Sequence, residues 1–313
     1  MRPSPVPHGQ TARRLEWPHL PPSVRAAIEE RCGAPVATAT SQTSGFTPGF
    51  ASVLECTDGT RHFVKAASTK AQRMFADAYR EEARKLAELP AQAPAPPLRW
   101  TLEVDDWFAL STEYVDARPP YRPWRAEDLR LCLNALTAAA PVLTPAPAEL
   151  DLPHASEELA EWPGYWDHLR VTRPDLSHLE EAATLAGRYV EAMAGQTLVH
   201  TDVRDDNLLL TADGRALLCD WNWPMVGAAW LDSVFLLIGP RGDGLDVEAV
   251  IASHPLLSRV PAEHVDIVLA LVIGYFLKSA DDPVPPTSPF IRDAQRWQGE
   301  VCWEWLSERR GWS

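Results

Sequence analysis

Apolar positions follow two rhythms along this chain. Up to residue 113 they gather in short runs that read as strands: Val36 to Thr40, Ala51 to Cys56, Arg61 to Ala66, Leu98 to Val104 and Trp107 to Glu113. Thr57-Asp58-Gly59-Thr60 and the Asp105-Asp106 pair supply hairpin turns. Two helices are expected among these strands. Pro21 to Cys32 starts at Pro22 and Ser23, turns Val24, Ala27 and Ile28 to one face, and stops at Gly33-Ala34-Pro35. Lys70 to Leu89 is the second, and the Pro-rich stretch Pro90 to Pro97 is a stiff connector after it. From Trp124 onward the apolar spacing becomes helical. Helices are predicted within 129–139, 157–169, 176–194, 228–238, 247–253, 261–280 and 289–309, with a Pro-rich loop from Pro141 to Pro153. The first 20 residues, rich in Pro and Arg, are expected to form an arm. No internal repeat appears. The pattern predicts an α+β chain, with a small antiparallel sheet first and helices after.

One interruption in the helical half carries chemistry. Leu198-Val199-His200-Thr201-Asp202-Val203-Arg204-Asp205-Asp206-Asn207 reads H-x-D-x-x-x-x-N. Two apolar runs follow, Leu208 to Leu210 and Ala216 to Cys219, joined by an Asp213-Gly214 turn and ending in Asp220. That hairpin would return Asp220 beside Asn207. Phosphoryl transfer needs an aligned nucleophile and neutralised phosphate charge, and little else from the protein. Asp202 suits a base that accepts the proton of a substrate hydroxyl. Asn207 and Asp220 offer the hard oxygen donors that Mg2+ prefers.

On these residues the chain resembles the aminoglycoside phosphotransferase family, relatives of the protein kinases. His200-Thr201-Asp202 carries Thr where that family usually has Gly, and Asp220-Trp221 matches its magnesium motif. The resemblance runs from about Val36 to the C-terminus. It implies a bilobal fold: an N-lobe over residues 21–113, a hinge over 114–120 and a mainly helical C-lobe over 121–313. It also implies ATP, with GTP as the alternative donor. Arg204 lies where protein kinases carry a Lys that touches the γ-phosphate, so it is a candidate for stabilising charge there. The Gly-containing loop from Ser41 to Phe50 precedes the Lys65 strand, as in the family. Gly45 and Gly49 permit a tight turn there, whose amides approach phosphates, with Ser44 and Thr47 as hydroxyl donors. Lys65 is implied to contact the α- and β-phosphates. The family pattern R-E-A-x-x-L-x-x-L points to Glu82 as its carboxylate partner, with Leu86 and Leu89 on the core side and Glu81 as the fallback. Tyr114 to Pro120 resembles the hinge, and the adenine edge is expected at the backbone of Glu113 to Val115. Asp232 matches an Asp that braces the catalytic loop.

Composition narrows the partners. The formal net charge is -14, which disfavours nucleic acid and anionic membrane. Lysine is confined to Lys65, Lys70, Lys85 and Lys278, so a Lys inside an apolar strand stands out. The five cysteines lack C-x-x-C spacing and read as small buried residues of a reducing cytosol, neither a disulfide framework nor a zinc site. No secretory segment is visible, and the apolar run Ile267 to Leu277 is short for a bilayer, so a soluble cytoplasmic protein is expected, as monomer or homodimer. Only a few residues separate Asp220 from Asp232, which leaves no room for the long segment with which protein kinases dock a polypeptide. The acceptor is therefore expected to be a small hydroxyl compound, an antibiotic or a metabolite, with cationic compounds among the candidates. A non-catalytic nucleotide-binding scaffold is the rival of another class. Asp205, Asp206, Glu157, Glu158, Asp167, Asp281 and Asp282 are candidate anchors for an amine. Trp221 and Trp223 are the tryptophans favoured for stacking on substrate.

Overall fold

The computed structural model describes residues 1–46 and 48–312. Five antiparallel strands form the N-lobe sheet: β1 (Val36–Ser41), β2 (Phe50–Cys56), β3 (Arg61–Ser68), β4 (Leu98–Val104) and β5 (Trp107–Glu113), in the order β1-β2-β3-β5-β4. Each face of the sheet carries one helix. On one side α1 (Pro22–Cys32) lays Val24 and Ile28 over Phe50, Leu54, Val64 and Ala66. On the other, α2 (Arg73–Glu88) packs Ala76, Tyr79 and Ala83 against Ala67, Phe108 and Leu110. Side chains alternate across a strand, so Lys65, between Val64 and Ala66, faces α2.

The hinge continues into β6 (Ala117–Arg118) and then α3 (Ala126–Val142). The stretch predicted as one helix over 157–169 is broken. It forms α4 (Ala155–Glu158), a 3-10 turn at Trp162–Gly164 and α5 (Tyr165–Thr172), because Pro163-Gly164 removes one helical donor and adds a flexible residue. Likewise 176–194 divides into α6 (Leu179–Ala186) and α7 (Tyr189–Met193) around Gly187.

Two small sheets frame the chemistry. One pairs β7 (Thr197–Val199) with a later strand at Met225–Gly227, and the other is β6 with the hairpin of β8 (Leu208–Thr211) and β9 (Ala216–Leu218). The strand at 225–227 is β10. The remaining helices are α8 (Leu231–Gly242), α9 (Val247–Ser253), α10 (Ala262–Ala280) and α11 (Ile291–Arg310). α10 is apolar on almost every face and forms the centre of the lobe, packed by α5, α6, α7 and α11. Among the described residues, no helix is long and apolar enough to cross a membrane.

The first 14 residues of the expected arm lie along the protein. They bridge the lobes. Arg2 pairs with Glu300 and Glu304 of α11, and its backbone bonds Gly242 and Trp297. The Val6 carbonyl accepts from Arg122, and Thr11 then reaches the loop between β1 and β2.

Candidate active site

The loop between β7 and β8 is braced from three sides. The Asp232 carboxylate, in the first turn of α8, accepts the amides of His200 and Thr201 at 2.7 and 2.8 Å. The His200 imidazole is buried, its Nε2 lies 3.0 Å from the Cys219 carbonyl, and it stands edge-on to Trp221. Burial lowers the His200 pKa, so the ring is a neutral brace and no proton carrier. Thr201 sits at φ +69°, the left-handed region that favours glycine. A β-branched residue there is strained, on the order of 1–3 kcal/mol. Its hydroxyl compensates by donating to the Trp223 carbonyl at 2.7 Å.

This brace presents Asp202. Asn207 Nδ2 donates to the Asp202 carbonyl and to Oδ2, both at 2.9 Å. Arg204 donates to Oδ1 at 2.7 Å and grips Asp206 with its other edge. Asp202 keeps about a quarter of its side chain (24%) open. Burial nevertheless pushes its carboxyl up to about 6, against the pull of Arg204.

The β8–β9 hairpin places Asp220 next to Asn207, and the Cys219 amide donates to the Asn207 carbonyl at 3.0 Å. Asp220 is itself left-handed, at φ +67°, a conformation that Asp tolerates better than Thr. Lys65 Nζ stands 2.7 Å from Glu82 and 2.7 Å from Asp220. Burial works against the charges, but the two carboxylates hold the Lys65 ammonium above its usual pKa. Burial likewise disfavours ionised Asp220, yet Lys65 and then Arg204 keep its carboxyl below the ordinary range. Glu82, with 2% of its surface exposed, is raised by burial despite Lys65. Glu81, one position round the helix, is on the surface and pairs with Arg84. Lys85 donates to the Asn222 carbonyl at 2.6 Å, tying α2 to the Asp220 loop.

Asn207 and Asp220 fit a magnesium ion by donor chemistry. Asn207 commits its amide nitrogen to Asp202, which turns its oxygen outward, and the Lys65 and Asn222 contacts to Asp220 both fall on Oδ1, leaving Oδ2. Beside them, Asn222 Oδ1 is buried with no partner.

The phosphate-loop candidates divide. Thr47 lies outside the described residues. Gly45 has φ +82°, and a Cβ at Gly49 would collide with the Tyr79 hydroxyl. The carbonyls of Thr43, Ser44 and Gly45 are all held by the arm, through the Thr11 amide, the Arg14 guanidinium and the Thr11 hydroxyl. In a trans peptide the N–H opposes the C=O. The amides of Ser44, Gly45 and Phe46 therefore point away from the arm, three in a row. Phe46 lies over the Arg204 guanidinium, 5.4 Å from it.

At the hinge, Glu113 and Val115 are half-buried. The Glu113 amide already donates to Pro97, and its carboxylate pairs with Arg99 at the surface.

Most acidic acceptor candidates are otherwise engaged. Asp205 pairs with Arg122, Asp206 with Arg204, Asp167 with Arg170, Asp281 with His168 and Arg173, and Asp282 with Lys278, while Glu157 caps its own helix. None of these six is a free anion awaiting an amine. Trp221 is core, 1% exposed, with its indole N–H on Leu218; Trp223 is 68% exposed. Trp162 stacks at 4.1 Å on Tyr275, a residue the sequence did not single out, and the Asp202 charge raises the Tyr275 pKa after the larger effect of burial.

The chain matches no family model and no curated protein sequence. Solved structures match along nearly its whole length. The aminoglycoside phosphotransferase APH(4)-Ia, in ternary complex with ADP and hygromycin B, gives a TM-score of 0.64 at 13% identity, over 93% of this chain and 100% of that one. Choline kinase LicA from Streptococcus pneumoniae gives 0.56 at 13% identity, over 90% and 99%. A macrolide 2'-phosphotransferase type I gives 0.53 at 16% identity, over 86% and 94%. At such identities the likeness is one of fold. The small antiparallel-sheet lobe, the helical lobe and the segment joining them make this chain a bilobal, protein-kinase-like fold.

Proposed function

We propose that the chain is an ATP- and magnesium-dependent phosphotransferase that moves the γ-phosphoryl group to a hydroxyl of a small molecule. One observation carries this reading. The Lys65 ammonium bridges Glu82 and Asp220, and Asp220 abuts the loop that holds Asp202 and Asn207. That is the charge arrangement phosphoryl transfer uses, assembled from four separate elements. Several structures of matching fold were crystallised with adenine nucleotides, which supports ATP as the donor.

In this reading Lys65, placed by Glu82, takes the α- and β-phosphates. The amides of Ser44, Gly45 and Phe46 face the phosphate chain, and the Glu113 carbonyl and Val115 amide meet the adenine edge. Asn207 and Asp220 hold Mg2+, which when bound neutralises phosphate charge. Asp202 accepts the acceptor's hydroxyl proton. The freed oxygen bonds to the γ-phosphorus as the bond to the ADP oxygen breaks. Arg204 keeps Asp202 aimed and adds positive charge beside the transferred group.

The short path from Asp220 to α8 favours a small acceptor over a polypeptide. An antibiotic hydroxyl, in resistance or self-protection, is one candidate. The hydroxyl of a sugar, amino alcohol or nucleoside-like metabolite is the other. The test is ATP consumption with Mg2+ against amino-sugar, peptide and nucleoside antibiotics and against small alcohols of metabolism. Tight nucleotide binding with no turnover on any acceptor would overturn the enzyme reading in favour of a nucleotide-binding scaffold.

A further inference from the structure

Three donors that play no part in phosphoryl transfer meet at the outer end of the N-lobe sheet. Cys32 closes α1, Cys56 closes β2 and His62 is the second residue of β3. Their ligating atoms all lie within 4.8 Å of one another. It is the one such group of His, Cys, Asp and Glu donors among the described residues. Both thiols are buried, while His62 is half-exposed and leaves a way in.

We propose that Cys32, Cys56 and His62 form a binding site for a borderline-soft divalent ion of the Zn2+ type. The donor set decides the class of ion. Two thiolates and an imidazole suit Zn2+, and no carboxylate joins them to suit Mg2+ or Ca2+. Nearby carboxylates are engaged elsewhere: Glu29 accepts the Val36 amide at 2.9 Å, and Asp58 accepts the Thr60 amide and hydroxyl. A water molecule is left to complete the tetrahedron. A Zn2+ held by two thiolates is also net neutral, which a buried site tolerates. The geometry is near what the ion needs. Zn–S bonds of about 2.3 Å and Zn–N bonds of about 2.0 Å set donor separations of roughly 3.5–3.8 Å, so side-chain rotation of about 1 Å closes the site.

The backbone around it is already fixed. Val36 pairs with Cys56, the Cys56 amide bonds Thr60 across the hairpin turn, and His62 pairs with Leu54 on one side and Glu113 on the other. The ion would clip the end of α1 to the β2–β3 hairpin, three residues from Lys65 on the same strand. It is a structural staple, independent of the phosphotransfer reading.

The experiment is a Co2+ titration of the full chain, reduced and stripped with a chelator. One equivalent is expected to bind with thiolate-to-cobalt charge-transfer absorption, which an oxygen-donor site at Asn207 and Asp220 does not produce. Zn2+ should displace it and raise the Tm. Cys56→Ser and the half-exposed His62→Gln should lose stoichiometric binding, while Cys132→Ser, buried in the C-lobe, keeps it. Absence of the charge-transfer band in the unmodified protein overturns the proposal. So does an undiminished band in Cys56→Ser, or recovery of a Cys32–Cys56 disulfide that leaves no cobalt site after reduction.

Discussion

Arg204 Nη1 donates to Asp202 Oδ1 at 2.7 Å, so the cation nearest the proposed base also aims it. A base must be ionised to accept a proton. Burial lifts the Asp202 carboxyl to about 6. Below that pH the group is protonated and idle; above it the group works. We expect kcat/KM for ATP-dependent turnover to rise with pH through about 6 and then level. Arg204 favours the ionised form, so Arg204→Met should move the acidic limb to higher pH. An acidic limb at the ordinary carboxylate value in the unmodified protein, or no displacement in the variant, would remove Asp202 from the role of base.

Asp202→Asn tests the same atom without titration. The amide still accepts from Asn207 but cannot take a proton. Turnover should fall by about 10²–10⁴-fold, the usual worth of a positioned base. Nucleotide affinity, read by a fluorescent ATP analogue, should stay near that of the unmodified chain. Retained turnover would sink the mechanism.

The Lys65 bridge predicts a separation between stability and binding. Lys65→Met leaves the buried Glu82 carboxylate and Asp220 without their cation. Breaking a buried pair from one side costs about 3–5 kcal/mol, so the denaturant midpoint should drop sharply. Lys85→Met is milder. It removes one bond to the Asn222 carbonyl and loosens the loop that carries Asp220. There we expect a raised KM for magnesium–ATP with little change in Tm. Equal losses of stability in the two variants would contradict this division.

Much of this was legible in the chain. The strands Leu98–Val104 and Trp107–Glu113 carry the bounds that their apolar runs predict. Lys65 stood out because lysine is so scarce. Periodicity alone could not choose Glu82 over Glu81; the choice rested on family pattern, and burial of one helix face now separates them. The break at Pro163-Gly164 was readable from residue chemistry, but the helical spacing on both sides masked it. Thr201 shows a real limit. Its hydroxyl bond to Trp223 offsets a left-handed backbone only when the Asp220 loop has folded over it. The acidic residues show another. Asp205 and Arg122 stand far apart in sequence, and nothing local says that one neutralises the other.

The arm was the least legible element, and it makes the last prediction. A Pro-rich segment carries no periodicity to say what it covers. In the fold, Thr11 and Arg14 hold the carbonyls of Thr43, Ser44 and Gly45, while Arg2 anchors the far end on α11. Those three carbonyl bonds fix which way the Ser44, Gly45 and Phe46 amides point. Without them the loop must order itself around each phosphate, and that ordering is charged against binding. Deleting residues 1–14 should therefore raise the KM for ATP and quicken release of an ADP analogue. Arg2→Ala, which removes only exposed ion pairs, should do so weakly, because such pairs contribute at most about 1 kcal/mol. Thr11→Val lies between: it keeps the amide bond to Thr43 and loses the hydroxyl bond to Gly45. A graded series in nucleotide affinity, measured by stopped-flow release, is the expected result. If the deletion binds and releases nucleotide like the full chain, the arm does not organise the phosphate loop.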